Sequence, residues 1–73
     1  MDAYKVSQFE AKLAEIYNKS TWLRYELSLH DFINLFPIKY VKGRPLRLDK
    51  PQGLDLDRDT YLAVLVAFRQ SFG

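Results

Sequence analysis

The chain has 73 residues, 48% of them apolar and 15% aromatic, with a formal net charge of +2 and no cysteine. That length holds one hydrophobic core and no second module, and the apolar content separates it from chains too polar to fold. Without cysteine there is no disulfide framework, thiol nucleophile or Cys-based zinc site, which fits a reducing compartment and makes the cytoplasm the expected location.

The longest apolar run, Tyr61 to Phe68, is eight residues, against the roughly 20 needed to span a bilayer. The first residues show no basic region leading into an apolar stretch, as a secretory signal has. One intracellular domain over residues 1–73 is the expectation.

Ser7 and Glu10 have the spacing of a capping box, which places a helix start at Ser7. Val6, Phe9, Leu13, Ile16 and Tyr17 then recur at helical spacing, with Gln8, Lys12, Glu15 and Lys19 on the opposite side. This predicts a one-sided helix that ends near Asn18 to Ser20.

Residues 21–36 carry two patterns. Leu23, Tyr25, Leu27 and Leu29 alternate as in a strand, while Trp22, Tyr25, Leu29, Phe32, Ile33 and Phe36 form one helical stripe. The near absence of β-branched residues favours helix. Ser28 leaves an alternative open, a fresh short helix capped by its hydroxyl with residues 22–27 as a strand. Pro37 biases Phe36 away from helical geometry and stops the element in either case.

Ile38, Tyr40, Leu46 and Leu48 alternate on either side of Lys42-Gly43-Arg44-Pro45, which predicts a β-hairpin turning at Gly43. Pro51 and Gly53 mark a loop, and Asp55, Asp57 and Asp59 lead into a last helix from about Arg58 to Ser71. Tyr61, Leu65, Phe68 and Phe72 make its expected centre, widened by Leu62, Val64 and Val66, with Ala63 and Ala67 behind. A helix apolar on so many sides is expected to be enclosed on more than one. The other reading has Leu62, Val66 or Phe72 meeting a second copy or a partner, with Arg69 near the rim. Trp22 and Tyr25 are expected in the core. The fold class that follows is α+β: a small single domain with helices packed against a basic β-hairpin and an apolar C-terminal helix, in an order like that of a winged helix.

Charge is unevenly spread: residues 1–37 sum to −1, 38–50 to +4 and 51–73 to −1. Within 38–48, Lys39, Lys42, Arg44 and Arg47 meet no acid, and Tyr40 adds a stacking surface. These five residues are the expected partner-binding set. Lysine and arginine also guard exposed strand edges with no partner at all. The tetrapeptide Lys42-Gly43-Arg44-Pro45 is similar to the Gly-Arg-Pro core of AT-hooks, a resemblance that implies contact with the minor groove of A·T-rich DNA. Val41 and Leu46 stand where that family has further basic or small residues.

The three aspartates resemble the first ligands of a calcium-binding EF-hand loop, but Thr60 stands where that loop needs Gly and Val66 where it needs Glu. Their expected role is to cap the last helix. His30 has no Cys or second His to share a metal with. Ser7, Ser20, Ser28 and Ser71 read as helix-end or solvent residues, and the glycines at 43, 53 and 73 form no phosphate-cradling loop. No enzymatic chemistry, cofactor or metal is expected. The expected function is that of a small regulatory binding protein of the kind phages and mobile elements encode. It docks to the host transcription machinery, RNA polymerase or a regulator. The alternatives are a direct DNA-binding regulator and a homodimeric structural or assembly factor.

Overall fold

The computed structural model describes residues 3–37 and 55–72 with their side chains, and the backbone of residues 39–41 and 44–47. Its elements in chain order are α1 (Ala3–Lys19), α2 (Thr21–Glu26), α3 (Leu29–Asn34), β1 (Lys39–Val41), β2 (Arg44–Arg47) and α4 (Arg58–Phe72). Of residues 3–37 and 55–72, 83% are helical and none lies in a strand. The packed body is therefore all-α, which corrects the α+β expectation.

A packed β-hairpin is not shown, and the winged-helix-like order goes with it. The backbones of β1 and β2 pair antiparallel, with an irregularity between Lys39 and Tyr40. The turn at Lys42 and Gly43 and the strand positions Ile38 and Leu48 lie outside the described residues. Among the described residues neither strand packs along a helix. The physical reason is supply: alternation over so short a stretch offers few apolar side chains, and a lone two-stranded ribbon is at best marginally stable. The long helical stripes supply the buried surface instead.

α1 starts at Ala3, ahead of the Ser7 start that the capping spacing predicts, and Ser7 is exposed within it. Tyr4, Lys5 and Val6 impose no break, so the helix runs on through the serine. Its end at Lys19 agrees with the predicted stop. Phe9 and Leu13 point inward and are almost wholly buried.

Residues 21–34 are helical, as the stripe predicts, but in two pieces. Leu27 and Ser28 adopt extended backbone (φ −158°, ψ 164° and φ −78°, ψ 164°), and the Ser28 hydroxyl accepts from the Asp31 amide at 3.2 Å. Ser28 is thus the cap that the alternative reading gave it, while the strand that reading paired with it is absent among the described residues. The break changes which face looks inward. Leu23 is fully buried, whereas Tyr25, expected in the core, is 87% exposed and Trp22 is half-buried.

α1 lies against α4, its principal neighbour, and also touches α2 and α3. Two aromatic groups close the core from opposite ends of α1. Phe9 meets Phe68 and Phe72 edge-on, with ring centroids 5.7 and 6.0 Å apart. Toward the other end, Tyr17 meets Phe32 at 5.8 Å and Phe32 meets Phe36 at 5.2 Å. Such pairs are worth about 0.5–1.5 kcal/mol each beyond the area they bury. The Tyr17 hydroxyl also donates to the Leu27 carbonyl at 2.6 Å, satisfying the backbone where α2 breaks from α3.

α4 corrects the expected inward face. Its buried residues are Val64, Ala67 and Ser71, while Tyr61, Leu65, Phe68 and Phe72 flank them half-buried. Small Ala67 lets α1 approach closely and so becomes core. Ser71, expected at a helix end or in solvent, lies in the last turn of α4 but is only 5% exposed, and its Oγ has no hydrogen-bond partner among the described residues. The helix is not enclosed all round, since Leu62 and Val66 stay 44% and 53% exposed.

Candidate interaction surfaces

The predicted binding set falls on the segment between α3 and α4. Backbone pairing sets Lys39 opposite Arg47, Tyr40 opposite Pro45 and Val41 opposite Arg44. Two cationic positions thus face each other in register, an arrangement that destabilises a ladder when both side chains stay charged and unpaired. Lys42 lies outside the described residues, as do the side chains of Lys39, Tyr40, Arg44 and Arg47.

Entry into α4 is fixed by Asp57. Its Oδ2 accepts from the Thr60 amide at 3.2 Å, its Oδ1 accepts from the Thr60 hydroxyl at 2.6 Å, and its carbonyl accepts from the Tyr61 amide at 3.0 Å. This is N-capping, the role expected of the aspartates, and it falls to the middle one. The Thr60 hydroxyl holds the Asp57 carboxyl below its usual 3.8. Desolvation opposes this, and the Thr60 amide, the Asp57 amide and the Trp22 side chain add smaller effects in the same direction as the hydroxyl. Leu56, 3% exposed, anchors the chain just before the cap.

The helical body carries two further surface features. A groove runs along the seam of α1 and α4. It consists of depressions of about 270 and 350 Å³ that share Ile16 and Ala63 as lining. Lys12 bridges the groove by donating from Nζ to Gln70 Oε1 at 3.2 Å. On α2, Thr21, Arg24 and the exposed Tyr25 ring border a shallower dip of about 200 Å³. Tyr25 is the exposed aromatic that the sequence reading assigned to the core. A break at Leu27–Ser28, signalled by the Ser28 cap, is what puts it outside.

His30 is exposed on α3, and among the described residues no group of three His, Asp or Glu side chains could hold a metal. Nor is any helix among the described residues long and apolar enough to cross a membrane. Phe72, named with Leu62 and Val66 as a possible contact, belongs to the core aromatic group through Phe9 and Phe68. The chain matches no protein-family model, no curated protein and no solved structure.

Proposed function

We propose that this chain is a non-catalytic regulatory protein that docks through residues 38–48 on an acidic surface of a larger assembly, with the transcription machinery as the target. The observation that carries this reading is the charge distribution. Residues 38–50 hold +4, while the stretches on either side each hold −1. Complementary charge of that density speeds encounter and fixes orientation on an oppositely charged partner. The helical body is consistent with the reading: among the described residues its core is built from α1, α2, α3 and α4 together with Phe36 and Leu56.

Fluorescence anisotropy of the labelled chain tests this, with purified RNA polymerase holoenzyme as one probe and random-sequence duplex DNA as the other. The reading predicts saturable binding to polymerase. It also predicts at least about a tenfold loss of affinity when Lys39, Lys42, Arg44 and Arg47 are all replaced by Glu. Undiminished binding by that variant removes the segment as the contact. Binding to DNA alone, with log affinity falling against log salt at a slope of about −3.6, the value for four neutralised phosphates, replaces the docking reading with a DNA-binding one.

A further inference from the structure

The exposed face of α4 repeats itself when reversed. Asp59, Leu62, Val66 and Arg69 follow one another at spacings of three, four and three residues, which puts all four on one side of a helix. All four are exposed, Leu62 by 44% and Val66 by 53%. Among the described residues, neither Asp59 nor Arg69 has an ion-pair partner within the chain. The order is acid, apolar, apolar, base. Reading it backwards exchanges the charges and leaves the apolar pair in place.

We propose that this face pairs antiparallel with the same face of a second copy of the chain. A two-fold axis at the level of Val64 sets Leu62 of each copy opposite Val66 of the other, and Asp59 of each opposite Arg69 of the other. The residues sit where a C2 interface requires, one patch complementary to itself. Asp59 to Arg69 spans about 15 Å at 1.5 Å per residue, so both ion pairs and both apolar contacts form in a single crossing. The helix dipoles add in the same sense, because the N-terminal end of each α4 lies beside the C-terminal end of the other. Ala63 and Ala67 beside Val66 are small, and the depression of about 270 Å³ that they line with Ile16 gives the facing side chains room to seat. A partner of unrelated sequence has no reason to match this reversed order; a second copy matches it by construction. The pairing uses no residue of 38–48, so it stands or falls apart from the docking proposed above.

Sedimentation equilibrium on the purified chain, from about 10 μM to about 1 mM, covers the range of small, weak interfaces. The wild-type chain is expected to form dimers in that range. Asp59→Arg and Arg69→Asp each place like charges at both ends, and each is expected to weaken association at least about tenfold. An equimolar mixture of the two variants is expected to recover wild-type association as mixed pairs, because the variant carrying a base at both ends of the face then meets the variant carrying an acid at both ends. Val66→Ser, at an exposed position, should weaken association with the helical circular dichroism unchanged. A wild-type chain that stays monomeric at about 1 mM overturns the proposal. So does a mixture that fails to recover, since only antiparallel pairing of this face predicts rescue between two variants that are each impaired alone.

Discussion

In the helical body, Phe9, Phe32 and Phe36 each meet another aromatic ring, whereas β1 and β2 pair with each other and no helix packs along them among the described residues. The body gains its stability from burial distributed over four helices. The segment between α3 and α4 contributes charge. The difference separates a body whose packing is described from a segment singled out by its charge, and substitutions can be aimed at each separately.

The largest effect is expected in the body. Phe32 is fully buried between Tyr17 and Phe36, and Phe32→Ala should cost about 3–5 kcal/mol. A domain of this size has on the order of 4–11 kcal/mol in total, so urea unfolding should show most of the folded baseline lost. A small shift in midpoint would mean that Phe32 is not the keystone of the α1–α3 contact.

Tyr17→Phe keeps the ring and removes the hydroxyl that donates to the Leu27 carbonyl. The expected cost is about 1 kcal/mol, with amide exchange fastest in α2 and α3, the short helices that depend on that bond. Uniform acceleration across the body would contradict this local role.

Asp57→Ala should cost about 1 kcal/mol through the lost cap. Because the Asp57 carboxyl is held below 3.8 in the folded chain, ionised Asp57 stabilises the fold above that value. The contribution is lost as pH falls through the lower folded value. The stability gap between wild type and Asp57→Ala should therefore be constant near neutrality and shrink below pH 3.8. A gap that widens on acidification would refute the cap assignment.

The smallest effect has the opposite sign. Ser71 buries a hydroxyl with no partner among the described residues, so Ser71→Ala is expected to be neutral or to stabilise by up to about 1 kcal/mol. A clear loss in thermal melting would reveal a hydrogen bond made by that hydroxyl.

These same residues show what the sequence makes legible. The extent of α4 follows from an aspartate cap ahead of a long apolar run, and the end of α1 from its periodic stripe. Both signals are local and repeated over several turns. The inward face of α4 is harder to read, because nearly every position is apolar and only the approach of α1 selects Val64, Ala67 and Ser71 over their neighbours. Tyr25 is misplaced for a related reason: one stripe drawn through residues 22–36 ignores the change of phase at Leu27–Ser28. The basic segment declares itself by charge alone. Charge patterns do not report packing, and they arise at unpartnered strand edges as well as at binding surfaces, so the predicted hairpin layer has no comparable support.

The division between a self-sufficient helical body and a binding segment is the central claim, and the fourfold variant of Lys39, Lys42, Arg44 and Arg47 to Glu tests it in one comparison. Its urea unfolding free energy and its affinity for RNA polymerase are measured beside the wild type. The account predicts stability within about 0.5 kcal/mol of wild type, as for surface substitutions, together with a loss of affinity of at least about tenfold. Stability that collapses while polymerase affinity is retained would contradict it.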